Sequence, residues 1–208
     1  MTAAETASLP LRVAGVVPAA GASRRMGRTK ALLTVEGETF TARVVSALMG
    51  GGCDPVIVVT SGDAAVADEA RRRGGRVLVN DDPGEGPITS LRLALAALSG
   101  DIDGVAYLPI DFPMVSSQTV ATLLAESERS GASLTIPQHR GKRGHPAIFR
   151  RELFGELGDP TLEGGARTVV HRHLESACIV EIGEPTVVTD VDTPEAYAAI
   201  TKSTQGSL

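Results

Sequence analysis

Residues 13–30 read VAGVVPAAGASRRMGRTK, and this stretch decides how the rest of the chain is interpreted. Its first five residues, 13–17, form a short apolar run, which is typical of a buried β-strand that ends before Pro18. The residues that follow are small and then basic, so the strand leads into a loop. A buried strand, a loop and a following helix together make the beginning of an α/β unit.

Downstream of this stretch, short apolar runs alternate with segments of helical periodicity. The predicted strands are residues 13–17, 56–59, 77–79, 104–108, 134–137 and 147–149, with a last one near residues 187–188. The predicted helices are residues 39–49, 63–73, 88–98, 150–157 and 165–174, one capped by Ser117, and one that begins at Pro194 after Thr193. This alternation predicts an α/β fold with a single doubly wound, mostly parallel sheet flanked by helices.

The composition is that of one globular domain without a broad nucleic-acid surface. A chain of 208 residues can bury one core, and the absence of Trp leaves Val, Leu, Ile and Ala to build it. The net charge of −5 argues against a wide basic face for DNA or RNA. We expect a domain over residues 11–202, with flexible ends at residues 1–10 and 203–208.

Two further features concern the compartment. The two cysteines, Cys53 and Cys178, are far apart in sequence, so we expect neither a disulfide framework nor a structural zinc site. The apolar stretch at residues 13–20 is too short for a signal peptide or a membrane span, and residues 1–10 contain no basic region. These features predict a cytoplasmic protein with no membrane partner.

The loop at residues 18–30 is the first candidate for ligand binding. Small residues allow backbone N–H groups to approach an anion, and four basic residues add positive charge. The loop is neither a P-loop nor a G-x-G-x-x-G loop, because no Ser or Thr follows Lys30 and Ser23 replaces the second glycine. It is either a phosphate-binding loop or a solvated basic loop, and its position after a buried strand favours phosphate binding.

Two acidic segments follow predicted strands. Asp111 lies just past the fourth strand, between two prolines, where a carboxylate can hold a cation. A turn residue is the alternative interpretation. Asp190 and Asp192 alternate along a segment that we expect to be extended, which would place them on the same side of it. They either bind a cation as well or compensate the charge of the following helix start.

Two more segments place polar residues in predicted loops. The turn-rich segment that ends at Gly86 leads into a helix with Ser90 near its start, and a flexible helix cap would explain it equally well. Residues 141–146 join two predicted strands and contain His145. A single histidine of this kind is more often structural than catalytic.

The loop resembles the signature of the nucleotidyltransferase superfamily, A-A-G-x-S-x-R-M-G-x-x-K, which residues 19–30 match without gaps. The chain is most similar to the branch that contains molybdenum cofactor cytidylyltransferase and the related guanylyltransferase. The resemblance implies a nucleotide-diphospho-sugar-transferase-like variant of the Rossmann fold, in which the loop backbone wraps the triphosphate. Arg25 would contact phosphate, and Lys30 would face the α-phosphate and the acceptor phosphate. The implied catalytic residues are thus Arg25 and Lys30, and the implied nucleotide-binding loop residues are Ala19, Ala20, Gly21, Ala22, Ser23, Arg24 and Gly27.

The same resemblance assigns roles to the acidic segments. An Asp-x-Pro at this point of the family's sequence binds the catalytic magnesium, so Asp111 is expected to contact both the metal and the nucleotide. Asp192 matches the second metal ligand in a late Asp-x-Asp-Thr-Pro-Glu motif, and Asp190 is a nearby contributor. Phe112 departs from the polar residue that is more usual between the Asp and the Pro.

The resemblance also points to segments for the base and the acceptor. The loop at residues 80–86 and the helix start at residues 86–91 would recognise the base, and the helix start combines Gly86-Pro87 of the guanylyl branch with Ser90-Leu91 of the cytidylyl branch. Residues 143–149 and 164–167 are similar to acceptor-side stretches of the cytidylyl branch. Gly86 and Ser90 are therefore expected to bind the nucleotide, and His145 the acceptor substrate.

The predicted function is magnesium-dependent transfer of a nucleoside monophosphate from an NTP, with CTP favoured, to a phosphate-bearing acceptor such as molybdopterin cofactor. Pyrophosphate would leave, and a molybdoenzyme would receive the finished cofactor. One alternative is a GTP-dependent or sugar-phosphate nucleotidyltransferase of the same fold. Another is a non-catalytic protein that binds nucleotide and delivers the cofactor. Lys30, Asp111 and Asp192 favour catalysis, because binding alone would not need all three.

Overall fold

A mixed β-sheet with helices on both faces forms the centre of the protein. The structure is a computed structural model that describes residues 10–21, 29–84 and 86–205. The strands are β1 Val13–Ala19, β2 Thr34–Val35, β3 Glu38–Thr39, β4 Val56–Thr60, β5 Arg76–Val79, β6 Gly104–Tyr107, β7 Leu134–His139, β8 Lys142–Arg143, β9 Ala147–Arg150 and β10 Cys178–Glu181. The order across the main sheet is β10-β7-β9-β6-β1-β4-β5, with β8 paired to β7, and β2 and β3 form a separate hairpin.

Most neighbouring strands of the main sheet are parallel. β1 lies between β6 and β4 and is parallel to both, β5 is parallel to β4, and β10 is parallel to β7. β9 runs antiparallel to its neighbours β6 and β7. The predicted α/β class and the doubly wound, mostly parallel sheet are therefore confirmed. The loop after β1 consequently leaves the sheet at its centre, which is where such folds bind ligands.

β1 continues through Pro18, where we expected it to end. Pro18 lies opposite Val59 of β4, and the strand ends at Ala19. The Val16 carbonyl accepts a hydrogen bond from the Leu108 N–H at 3.0 Å, so even-numbered residues of β1 direct their backbone groups toward β6. Pairing with β6 ends at Val16. Because β6 has no residue opposite Pro18, the missing proline N–H breaks no hydrogen bond of the sheet.

Short polar side chains cap the starts of several helices. They are α1 Phe40–Gly50, α2 Ala64–Arg72, α3 Pro87–Ala96, α4 Ser117–Ser130, α5 Phe154–Gly158, α6 Ala166–Arg172 and α7 Pro194–Gln205. Thr39 and Asp63 cap α1 and α2, and Thr193 caps α7 as predicted. The cap of α4 is Ser116 rather than Ser117, because the Ser116 hydroxyl accepts a backbone N–H of the first turn.

Short elements account for the remaining differences from the predicted pattern. In the described part of the chain, four 3₁₀ turns lie at Lys30–Leu32, Arg151–Leu153, Leu174–Ser176 and Pro185–Val188. The strand predicted at residues 187–188 is wrong, because Pro185 starts a helical turn there instead. The sequence pattern does not predict β2, β3, β8 or β10. The first three have two residues each, and β10 is an edge strand whose residues alternate between half-buried and exposed.

The core consists of two apolar layers, one on each face of the sheet. Alternate residues of β1 supply both layers: Val13, Val17 and Ala19 pack into one, and Ala14 and Val16 into the other. Helices α1, α2 and α4 cover the first face, and α3, α5 and α6 cover the second. Aliphatic side chains dominate both layers, as the composition predicts. Within the described ranges, no helix is long and apolar enough to cross a bilayer.

The two cysteines lie in different parts of the fold. Cys53 is buried in the first core layer, and this burial raises the pKa of its thiol to about 12. Cys178 is half-buried in β10, and both are free thiols. The flexible ends expected at residues 1–10 and 203–208 fall largely outside the described residues, which begin at Pro10, and α7 continues to Gln205.

The contact between α1 and α4 provides a test of this packing. Gly51, just past α1, lies against Val120 of α4, and a Cβ atom at position 51 would overlap the Val120 side chain. We expect Gly51→Ala to lower the free energy of unfolding by about 1–3 kcal/mol, because a packed core adapts poorly to an inserted methyl group.

Urea denaturation measures this effect. Gly100→Ala is the matched control, since nothing lies within 4 Å of a Cβ atom placed at Gly100. The control should keep the stability of the unsubstituted protein. Equal stabilities of the two variants would contradict the described contact between α1 and α4.

Candidate active site

A cleft of about 1320 Å³ lies at the carboxyl edge of the parallel strands. Segments that follow β1, β5, β6 and β7 form its walls, together with the starts of α3 and α6. Doubly wound sheets bind their ligands at this edge. The volume is larger than the ~300–1,000 Å³ of an ordinary single-ligand pocket. The cleft therefore has room for two small molecules side by side.

β1 delivers the first wall of the cleft. Ala19 and Ala20 are buried at the end of the strand, and both line the cleft together with Gly21. The chain returns to the cleft at Thr29 and Lys30. The other loop residues with expected roles lie outside the described residues: Ala22, Ser23, Arg24, Arg25 and Gly27. The structure thus places both ends of the signature loop at the cleft.

Lys30 begins a 3₁₀ turn, and its charged side chain lies in the interior of the protein. The residue is 9% exposed, and its ammonium group forms an ion pair with the Asp192 carboxylate. A charge removed from water in this way requires a partner of opposite sign. The ion pair therefore joins the end of the signature loop to the late acidic segment.

A small apolar cluster connects the segments that carry these charges. Its members, which we call the anchor cluster, are Leu33, Val35, Phe40 and Val191, with Ile110 packed against them. The Val191 N–H also donates a hydrogen bond to the Asp111 carbonyl at 2.8 Å. Asp111 directly follows Ile110, and Asp192 directly follows Val191. One cluster therefore sets the spacing between the two carboxylates.

Asp111 lies where a carboxylate is difficult to keep charged. Burial raises the pKa of Asp111, and the nearby carboxylates of Asp192 and Asp190 raise it as well, whereas the Lys30 ammonium group lowers it. Its Oδ1 is buried and has no hydrogen-bond partner among the described residues. A buried carboxylate oxygen without a partner, close to a second carboxylate, suits a divalent cation.

The number of ligands is also compatible with a metal bound together with substrate. In the part of the chain that the structure describes, no group of three or more His, Cys, Asp and Glu residues could hold a metal ion. Mg²⁺ commonly takes one or two carboxylates and completes its shell with water and substrate phosphates. Asp111 and Asp192 fit that requirement, with the remaining positions left to the nucleotide.

The late acidic segment does not form the strand that we expected. It follows the 3₁₀ turn at Pro185–Val188, and Asp190 is exposed whereas Asp192 is half-buried. Lys30 and Asp111 line the cleft, but Asp192 is not among its lining residues. Asp192 is therefore connected to the cleft by its ion pair with Lys30, which lines the cleft. The buried Val191, next to it in the chain, fixes its position.

α3 begins at the cleft with a glycine and a proline. Gly86 precedes the helix with φ of +86°, a conformation that favours glycine, and Pro87 takes the first helical position. Gly86 and Ser90 both line the cleft, and Ser90 is 2% exposed. The two residues expected to bind the nucleotide at this end therefore belong to one wall.

His145 belongs to a wall formed by residues 141–145, which follow β7. Its backbone N–H donates to the Val187 carbonyl at 2.8 Å, and a Cβ atom on Gly144 would overlap that same carbonyl. The imidazole ring packs against the Phe112 ring, with 4.8 Å between the ring centroids. Phe112, the residue that departs from the usual pattern, thus gives His145 an apolar neighbour.

Several residues that line the cleft lie outside the motifs recognised in the sequence. They are Tyr107 on β6, residues 160–163 before α6, and His171 on α6. Tyr107 follows the pattern of a buried strand, so only the sheet order reveals that it reaches the cleft. Residues 164–167 line it as well, as the resemblance implied. His171 is exposed and lines the cleft.

Comparison with known proteins agrees with this geometry. A family model described as "MobA-like NTP transferase domain" matches residues 15–177. The chain belongs to the MobA-like NTP transferase domain family. It is therefore an enzyme of the nucleotidyltransferase class, and the resemblance found at residues 19–30 is confirmed.

Individual relatives of this MobA-like chain carry two kinds of name. The chain is 32% identical over 194 residues to nicotine blue oxidoreductase from Paenarthrobacter nicotinovorans. The aligned region covers 88% of this chain and 93% of that protein. It is 30% identical over 166 residues to a probable molybdenum cofactor guanylyltransferase from Mycobacterium tuberculosis (strain ATCC 25177 / H37Ra), with coverages of 79% and 80%. A crystal structure of Rv0371c from Mycobacterium tuberculosis H37Rv in complex with manganese is 27% identical. It has a TM-score of 0.76 and covers 92% of this chain and 99% of that one.

His145 is half-buried with its Nδ1 out of solvent, and this position predicts a specific pH dependence. Burial lowers the pKa of His145 to about 4, although a hydrogen bond with the Tyr107 backbone raises it. The unfolded chain binds this proton near pH 6.5, so acid favours unfolding between pH 6.5 and 4. We expect the free energy of unfolding to fall by about 3 kcal/mol over this range because of His145 alone.

Denaturation at a series of pH values measures this slope for the unsubstituted protein and for His145→Gln. His145→Gln should lack the decrease in the free energy of unfolding that His145 causes between pH 6.5 and 4. The decrease that comes from carboxylates should remain in both proteins. Parallel curves for the two proteins would show that His145 is not buried as described.

Proposed function

We propose that this MobA-like enzyme transfers a nucleoside monophosphate from an NTP to a phosphate-bearing acceptor such as molybdopterin cofactor, with release of pyrophosphate. The observation that supports this most strongly is the convergence of Lys30, Asp111 and Asp192. An ion pair, a backbone hydrogen bond and the anchor cluster hold them at one end of a cleft that has room for two substrates.

The reaction needs alignment and charge neutralisation more than covalent help. An oxygen of the acceptor phosphate bonds to the α-phosphorus, and the bond from that phosphorus to the β-phosphate oxygen breaks. Pyrophosphate leaves with the electron pair. Groups held in line contribute through proximity and electrostatics. We propose that the loop amides and Arg25 bind the leaving pyrophosphate. Lys30 would stabilise the charge on the transferring phosphorus.

The proposed cofactor is one Mg²⁺ ion held by Asp111 and Asp192. When bound, it would neutralise phosphate charge and orient the nucleotide. The manganese complex of the 27% identical relative supports a divalent metal in this family, and the choice of magnesium is our proposal. Lys30 neutralises Asp192 in the structure, and we propose that it turns to a phosphate oxygen once nucleotide is present.

The base is proposed to be cytosine. Ser90-Leu91 and residues 143–149 favour CTP, as in the cytidylyl branch that they resemble. Gly86-Pro87 favours GTP, and so does the name of the guanylyltransferase relative. Gly86-Pro87 and Ser90 lie in the same wall of the cleft but favour different bases, so the base has to be decided by binding rather than by motif.

The acceptor would bind beside the triphosphate, between residues 141–145 and the start of α6. Arg143 and Arg167 line this part of the cleft and can contact an acceptor phosphate, and His145 lies among them. A molybdoenzyme is the proposed destination of the finished cofactor. A protein that only binds and delivers the cofactor would not need the metal carboxylates.

One relative supports a second candidate function. The oxidoreductase from Paenarthrobacter nicotinovorans covers more of this chain than the guanylyltransferase relative does, at comparable identity. Its name concerns nicotine blue and electron transfer rather than nucleotidyl transfer. A redox reaction therefore belongs in the same functional test.

The deciding experiment measures Mg²⁺-dependent pyrophosphate release with CTP, GTP, ATP and UTP, each combined with molybdopterin or with sugar phosphates. We expect release with CTP and molybdopterin. CTP should be preferred over GTP by about 10-fold or more, because a formed pocket separates a pyrimidine from a purine.

Each other outcome points to a different function. Preference for GTP would replace the cytidylyl assignment by a guanylyl one, and release with sugar phosphates alone would replace the acceptor. Nucleotide binding without any pyrophosphate release would favour the delivery protein. A parallel assay with nicotine blue and a reduced nicotinamide dinucleotide tests the oxidoreductase, and dinucleotide oxidation without nucleotidyl transfer would favour that candidate.

A further inference from the structure

The residue directly after β5 is a buried asparagine that begins the loop at residues 80–86 and to which the sequence assigns no role of its own. Asn80 is 7% exposed, and its backbone N–H continues the pairing of β5 by donating to the Thr60 carbonyl at 2.8 Å. A buried primary amide has two N–H donors and one carbonyl acceptor to satisfy. Asn80 satisfies both kinds of group through α3 and through the loop that leads to it.

The hydrogen bonds of Asn80 fix the direction of its amide. The carbonyl Oδ1 accepts the Asp82 backbone N–H at 3.1 Å, and Nδ2 lies 2.8 Å from Thr89 Oγ1 and 3.2 Å from Ser90 Oγ. The reversed amide would place Nδ2 against the Asp82 N–H, with two donors facing each other. Nδ2 therefore donates to both hydroxyl groups.

This arrangement gives the two hydroxyl groups different roles. The Thr89 hydroxyl donates its own proton to the Gly86 carbonyl at 2.9 Å. Ser90 Oγ accepts from Asn80, and in the described part of the chain it has no other hydrogen-bond partner. The proton of the Ser90 hydroxyl is thus available, and Ser90 lines the cleft.

We infer that Asn80 is a positioning residue for substrate selection: it holds the Ser90 hydroxyl as a hydrogen-bond donor toward an acceptor atom of the nucleotide base. The inference rests on the proposed function, in which the start of α3 contacts the base. Every nucleobase carries ring nitrogens or carbonyl oxygens that accept such a bond. Asn80 itself lies outside the lining of the cleft and acts through Ser90.

Asn80→Asp separates this role from a structural one. The aspartate keeps the oxygen that accepts the Asp82 N–H, but its second oxygen can only accept, so the Ser90 proton turns toward position 80. We expect the Kd for Mg-CTP, measured by titration calorimetry, to rise about 10-fold, and Ser90→Ala to raise it by a similar factor. The same series with Mg-GTP covers the other base.

The double variant Asn80→Asp/Ser90→Ala provides the decisive comparison. If Asn80 acts through Ser90, the Asn80 change should raise Kd by about 2-fold or less when Ser90 is already absent. Thr122→Val, which removes a hydroxyl on α4 outside the cleft, is the control and should leave Kd unchanged. The melting temperature without nucleotide reports any loss of structure in each variant.

Equal effects of Asn80→Asp with and without Ser90 would overturn the inference and leave a structural or purely electrostatic role. No effect in either background would overturn it as well. If the unsubstituted protein binds neither nucleotide, the proposed function itself fails and this inference fails with it.

Discussion

The hydrogen bond from the Val191 N–H to the Asp111 carbonyl joins two segments that are far apart in the sequence. It is protected by the anchor cluster, in which Val191 is completely buried. Without it, Asp192 would be an exposed acid before a helix, and Lys30 would be a buried cation without its carboxylate partner. The candidate active site therefore depends on apolar packing between the signature loop's end and the chain's last helix.

The same cluster explains how a cleft at a sheet edge becomes ordered. The hairpin of β2 and β3 supplies Val35, and α7 supports the cluster through Tyr197, whose hydroxyl donates to the Thr34 carbonyl at 2.7 Å. Without such support, the burial of each charged group on a loop would destabilise the folded state. Charged groups that directly follow buried aliphatic residues are held in fixed positions by the packing of those residues. This fixed placement is the preorganisation that electrostatic catalysis requires.

Sequence patterns were sufficient wherever the deciding interactions are local. Neighbours in the chain determine the apolar runs of β1, β4 and β6 and the alternating α/β order. They also determine the cap that Thr193 provides for α7. The signature loop identified the family. The pairing of Lys30 with Asp192 and the packing of His145 on Phe112 could not be predicted, because they depend on the sheet order. The edge strand β10 was missed because half of its side chains face solvent.

We propose that Asp111 and Asp192 together support metal-dependent transfer. The most direct measurement is pyrophosphate release as a function of Mg²⁺ concentration for Asp111→Asn, Asp192→Asn and the matched control Asp190→Asn, with melting curves for all three. We expect Asp111→Asn and Asp192→Asn to lose activity by about 10²-fold or more while they remain folded, and Asp190→Asn to stay active. Full activity of Asp111→Asn and Asp192→Asn would contradict the account.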